Sequence, residues 1–153
     1  MKPMLASALI ALATLAVPAQ GQPPNQSYDE ALAAKFGADD YGMRSYVLVI
    51  LKTGPNPMPA GPERDDMFRG HFANMQRLSS EGKLVLAGPL DGVDGWRGLF
   101  VFAVEDIAEA TALAATDPVL MKGEMVAEYH KFYSSAGIVG IRDVHEQLAK
   151  KRM

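Results

Sequence analysis

Apolar positions fall into four short runs and two periodic stretches, and their order carries the fold. "SYVLVILK" (45–52) is apolar at almost every position and rich in β-branched residues, which predicts a strand buried on both faces. "TGPNPMPAGP" (53–62), with four prolines, reads as a loop. From Glu63 to Ser80 the apolar residues recur at helical spacing, and Gly82 ends the element. "KLVLAG" (83–88) is a second strand that stops at Gly88-Pro89. "LDGVDGWRG" (90–98) is a turn-rich connector, and "LFVFAV" (99–104) a third strand. Asp106, with Glu109 three residues on, opens a second helix through Ala115. "DPVLMKG" (117–123) predicts a single helical turn capped by Asp117, and "EMVAEYHKFYS" (124–134) alternates as a fourth strand. Residues 140–152 suit a short terminal helix.

This order is β-α-β-β-α-β, the ferredoxin-like α+β arrangement, with two helices on one face of a four-stranded antiparallel sheet. The strands are apolar on both alternating faces, yet two helices cover only one. A bare second face would leave a large apolar patch in water. Its simplest cover is the same face of a second copy, so a homodimer is expected.

The ends of the chain read differently. Lys2, the apolar stretch Met4 to Val17 and the small residues of "VPAQG" form an export signal over 1–21, with cleavage after Ala19 or Gly21. The stretch is shorter than the roughly 20 residues of a membrane span, so no membrane association is expected after processing. The protein is then periplasmic or secreted. Residues 22–44 are polar and turn-rich, a flexible arm, tethered or loosely docked, with one or two helical turns at Asp29 to Lys35. Residues 45–135 form the domain and 136–153 a helical tail. Without cysteine the domain has no disulfides, cysteine nucleophile or thiolate metal site. Fifteen Lys and Arg against eighteen Asp and Glu, with no basic block, argue against a nucleic-acid partner.

Two residues carry candidate chemistry. His71 falls within the same arc of the first long helix as Met67, Phe68, Phe72, Met75 and Leu78, about 140° wide, where an apolar residue would pack better. It is either a core histidine satisfied by backbone and water or a general acid-base. Asp117 is a good N-cap ahead of Pro118. It is also able to hold a histidine ring in one tautomer, and one carboxylate can do both. Arg97 has the fork to hold an anion, while Trp96 and Tyr133 are candidates for a pocket rim. His130 and His145 share no metal-ligand spacing with His71, and the acids of "LDGVDG" lack the calcium-loop pattern; no metal is expected. No G-x-S-x-G elbow or nucleotide-binding glycine motif occurs, so no organic cofactor is expected either.

"SYVLVILKTGPN", "HFANMQRLSSEGKLVLAGPL", "RGLFVFAV" and "ATDPVLMKG" stand in the order and spacing of YciI-like proteins, and from about Tyr46 to Tyr133 the chain resembles the YCII-related domain. "FYSSAGIVGIRDVHEQLAK" is similar to the tail of an exported subgroup. The resemblance implies a dimeric α+β barrel in which two ferredoxin-like sheets pack face to face. It also implies a site built on a helix His and the Asp of a DP dipeptide, here His71 and Asp117, and an Arg-Gly pair at Arg97. Two functions follow. One is a cofactor-independent lyase or isomerase acting on a small molecule through the His-Asp pair. The other is a non-catalytic ligand-binding or accessory domain using the same cleft.

Overall fold

β1 (Met43–Thr53) is the central strand, paired antiparallel to β3 (Trp96–Phe102) on one side and β4 (Met125–Ser135) on the other. β2 (Leu84–Pro89) pairs with β3, which gives the sheet order β2-β3-β1-β4. Pro89 has no N–H for a ladder and lies on that edge strand, where proline is tolerated. This computed structural model describes residues 27–151; the export signal expected over 1–21 and the first residues of the arm lie outside them. α2 (Pro62–Ser80) joins β1 to β2, while α3 (Ile107–Ala114) and α4 (Pro118–Met121) join β3 to β4. The fold is therefore α+β with the ferredoxin-like order. No helix among the described residues is long and apolar enough to cross a membrane.

Strand alternation sorts the apolar side chains into two layers. Val47, Val49 and Leu51 join Met67 and Leu78 of α2, Phe100 and Phe102 of β3, and Ala110 and Ala114 of α3 in the main core. Tyr46 and Val101 belong to the opposite layer, with Val85. The chain itself covers part of this second face. A 3-10 turn after β4, Ala136–Gly140, lays Ile138 and Val139 on the Tyr46, Val85 and Val101 cluster. α5 (Ile141–Leu148) continues from that turn, and α1 (Glu30–Phe36) packs against it. Elsewhere the face stays open, with Leu86, Trp96 and Val126 exposed by 38%, 41% and 44%.

The third strand starts at Trp96, three residues before the expected Leu99. Gly92, Asp94 and Gly95 all take positive φ, so the chain reverses within a few residues and pairing resumes at once. Trp96 and Arg97 thus lie on the strand and not in the connector. The sequence gives no such warning for Asp94, since aspartate adopts that conformation only at some cost.

The arm is folded back onto the domain. Asp29 caps α1 by accepting the Leu32 N–H at 2.9 Å, left-handed Gly37 closes it, and Arg44 Nη1 donates to the Phe36 carbonyl at 2.9 Å. Asp39 accepts N–H bonds from Tyr41 and Met43 through Oδ1 and the Tyr133 hydroxyl through Oδ2. The Tyr133 hydroxyl, then the Met43 N–H, hold the Asp39 carboxyl below its ordinary value, with partial desolvation opposing. A lowered folded-state value means that this contact stabilises above the unfolded aspartate range and is lost as pH falls through the folded one. In Tyr133→Phe, NMR titration should find the Asp39 carboxyl at higher pH than in the wild type; unchanged curves would mean that the Tyr133 contact does not hold the arm.

Candidate functional site

Helical periodicity brings His71 to the buried side of α2 beside Met67 and Leu78, with Phe68 and Met75 half-buried next to them. Phe72, expected in the same arc, is 59% exposed, because it lies at the edge of the stripe where the sheet no longer covers it. The His71 ring is wrapped by aromatic neighbours. Phe100 of β3 lies nearly parallel at 6.0 Å, Phe68 meets it edge-on at 5.9 Å, and Phe72 is 5.3 Å away.

Asp117 reaches the same place from α4. Pro118 sits at the first position of that turn, and Asp117 Oδ1 accepts the Val119 N–H at 3.1 Å as its cap. The second oxygen, Oδ2, lies 2.8 Å from His71 Nδ1. His71 is 7% exposed and Asp117 0%. The cap and the histidine contact therefore use different oxygens of one buried carboxylate. A carboxylate accepts only, so Nδ1–H donates and the free lone pair of the ring lies on Nε2. Among the described residues, Asn74 Nδ2 is the fully buried side-chain polar atom without a partner.

A glycine makes the approach possible. A Cβ on Gly70 would lie 3.0 Å from the Pro118 ring, so α2 and α4 come close at the residues adjoining His71 and Asp117. The cost of a glycine inside a helix, about 0.5–1 kcal/mol, is accepted there.

A second polar cluster lies one step along the same stripe. Arg64 is seven residues before His71, and its guanidinium sits 4.6 Å over the Phe68 ring. Its Nη2 donates to Oε1 of Glu124 at 3.1 Å, and Arg97 Nη1 is 3.9 Å from the same oxygen. Glu124, 2% exposed, also accepts the Met58 N–H through Oε2 at 2.5 Å. Burial alone would raise the Glu124 carboxyl. The Met58 N–H, the Arg64 hydrogen bond and the charges of Arg64 and Arg97 outweigh it and hold the group below the ordinary glutamate value. Gly54 anchors this corner: its N–H donates to the Glu124 carbonyl at 2.8 Å, and a Cβ there would stand 2.1 Å from the Gly123 oxygen. The β1–β3 register also slips here. Leu51 pairs with Gly98 and Lys52 with Trp96, which leaves Arg97 as the extra residue of a bulge.

Trp96 and Tyr133 are not brought to His71. Trp96 lies under the Lys52 ammonium at 5.8 Å, and Lys52 also pairs with Glu128 on the face away from the helices. Tyr133 pairs with Ser45 near the far end of β1, its hydroxyl on Asp39. His130 bonds Glu128 at 2.8 Å, also remote from His71. Among the described residues no cluster of His, Cys, Asp and Glu is placed to hold a metal. An open groove of about 540 Å³ runs between α1 and α5, lined by Leu32, Phe36, Ile141, Val144 and Leu148 with few polar groups. It does not include His71; Lys35, Asp143 and His145 also line it.

Glu124 and Arg64 escaped the sequence reading. Arg64 was within reach of it, since positions 64, 68 and 71 share one helical face. Nothing in "KGEMVAEYH" marks Glu124 as buried.

The double duty of Asp117 sets an order of variants. Asn caps a helix about as well as Asp, so Asp117→Asn should fold within about 1 kcal/mol of wild type. Asp117→Ala loses the cap and orphans the buried Nδ1–H, and should cost roughly 2–4 kcal/mol. Urea denaturation of both measures the difference; equal losses would mean that the two oxygens do not act separately.

Comparison with known proteins matches one family model and several solved structures. No curated protein matches the chain. Among solved structures it is similar to the 5-chloro-2-hydroxyhydroquinone dehydrochlorinase of Burkholderia phenoliruptrix AC1100 in complex with 2,5-dihydroxybenzoquinone, at 19% identity and a TM-score of 0.38, over 58% of this chain and 90% of that one. The YCII-related domain model matches residues 45–132, more than half of the sequence, and spans α2, His71, Asp117 and most of β1 and β4. The chain belongs to the YCII-related domain family.

Proposed function

We propose that this protein is an exported, cofactor-independent enzyme of lyase or isomerase type acting on a small molecule, with His71 as general acid-base and Asp117 as its positioning residue. The observation that carries the reading is the 2.8 Å contact between His71 Nδ1 and a fully buried carboxylate. A purely structural histidine has no need of an ionised partner at that depth, where an uncompensated charge is costly. An acid-base catalyst does, because the carboxylate fixes the tautomer and stabilises the imidazolium as Nε2 takes a proton. His71 would remove a proton from a carbon or hydroxyl of the substrate through Nε2 and return it to the product or the departing group. The aromatic wall of Phe68, Phe72 and Phe100 favours a planar, largely apolar body beside the ring.

Incubation of the protein with a pool of small metabolites should reveal a compound consumed by wild type and spared by His71→Gln and Asp117→Asn. Loss of about 10²–10⁴-fold is the size expected for a general acid-base. If both variants consume it at the wild-type rate, the His71–Asp117 pair is not the catalytic group; if wild type consumes nothing, the protein is a binding domain.

The same reading includes a homodimer. The part of the second sheet face that the tail leaves open still carries Leu86, Trp96 and Val126, with Leu48 and Leu99 half-buried among them. A second copy laid on it would remove this surface from water. Wild type should sediment as a dimer, and Leu48→Lys as a folded monomer by circular dichroism. A wild-type monomer at micromolar concentration would overturn the dimer.

A further inference from the structure

We propose that Arg64 and Arg97, held by Glu124, form an anion-binding site beside the His71–Asp117 pair that takes the carboxylate of a small organic acid. The proposal rests on the catalytic reading of His71 for its reacting end. Its own support is separate.

Arg97 is the extra residue of a bulge, with its side chain 29% exposed. Its nearest ionic partner is Glu124 at 3.9 Å, beyond hydrogen-bonding distance, and no hydrogen bond takes up its guanidinium among the described residues. A guanidinium carries five donors in a rigid fork, and those of Arg97, which the protein does not engage and does not bury, are open to a guest. Arg64 adds a second, 31% exposed, whose Nη2 alone is taken by Glu124. The Phe68 face beneath Arg64 limits where it can swing.

Charge decides what kind of anion. Two guanidinium groups against one carboxylate leave a net charge of +1 in the cluster. That suits a monoanionic carboxylate and leaves a phosphate dianion half-compensated. The planar fork also matches a carboxylate in a bidentate manner.

Distance decides how large the guest is. Seven helical residues separate Arg64 from His71, roughly 10 Å at about 1.5 Å per residue. Three strand residues separate Arg97 from Phe100, which stacks on His71, again roughly 10 Å at about 3.3 Å per residue. Phe68 lies between, touching both the Arg64 guanidinium and the His71 ring. A molecule with a carboxylate at one end and a reactive group some 10 Å away, joined by an apolar body, would reach the arginines and His71 at once. Glu124 is then a positioning residue: it is buried, so it keeps the two arginines together without competing for the guest from the solvent side.

The test uses 3-phenylpropionate and its neutral amide, 3-phenylpropionamide, as probes of the full mature chain, with binding followed by NMR titration. The acid should bind at least tenfold more tightly than the amide. Arg97→Gln should reduce that preference at least fivefold, and Arg97→Lys, which keeps the charge without the fork, should fall between. Arg64→Gln removes the partner of a buried carboxylate and is used only after circular dichroism shows it folded; Arg97 has no hydrogen bond to lose, so Arg97→Gln carries the test. Equal affinity for acid and amide, no binding of either, or an acid preference that survives Arg97→Gln would overturn the site. His71→Gln separates this from the catalytic reading. Acid preference kept in His71→Gln, as expected, together with unchanged turnover would sink the catalysis and leave the site standing. A consumed metabolite that is neutral and indifferent to Arg97→Gln would sink the site and leave the catalysis.

Discussion

A fully buried carboxylate with both oxygens engaged is the constraint around which this domain is built. Removing the Asp117 charge from water would cost several kcal/mol if it stood alone. It is offset by the Val119 N–H on one oxygen and the imidazole N–H on the other. Each partner lies in a different element, so the single residue fixes the direction of α4 and the rotation of α2 about its own axis. Gly70 follows from the same demand, since a side chain there would meet Pro118 and force the two helices apart. The histidine can sit in an apolar stripe because its polar edge has somewhere to go.

The sheet supplies the other half of the arrangement. Phe100 can lie against His71 because it pairs with Val49, in the row of β1 that faces the helices. The bulge at Leu51 and Lys52 sits at the end of that row and turns Arg97 toward Glu124. The proline-rich loop before α2 is pinned to the same corner, with Gly54 and Asn56 donating to the carbonyls of Glu124 and Gly123. Two polar clusters thus lie along one seam between α2 and the sheet, divided by Phe68. Their separation is set by α2, which carries Arg64, Phe68 and His71, and a regular element holds distances more precisely than a loop.

Much of this was legible in the sequence, for identifiable reasons. The four strands and two long helices follow from local periodicity, which the tertiary structure leaves intact. His71 stood out because a titratable group interrupts an apolar arc, and Asp117 because Asp-Pro signals a cap. What could not be read is what depends on contacts distant in sequence. Glu124 looks like any acid at the start of a strand; only the loop at Met58 and the helix at Arg64, some sixty residues earlier, enclose it. Trp96 and Tyr133 look alike as aromatics near the predicted site, yet strand pairing puts the first on the face away from the helices and the second near the opposite end of β1. The early return of β3 depends on three positive-φ residues, one of them an aspartate.

The tail has a consequence for how the second face can be used. Ile138 and Val139 occupy the end of the sheet near Tyr46 and Val85, whereas Trp96 and Val126 lie toward the end that holds Lys52. Any second copy therefore meets a shorter apolar surface than a bare four-stranded sheet would offer, and one bordered by the Lys52, Glu128 and His130 row. Such a row tolerates water poorly once covered, because each member must keep its partner. Lys52 bridges the Trp96 ring and Glu128, and Glu128 in turn accepts from His130. The row satisfies itself within one chain. In a face-to-face packing, a self-satisfied polar row beside an apolar patch would set the register without demanding a charge from the other side, which is the role buried polar groups serve best.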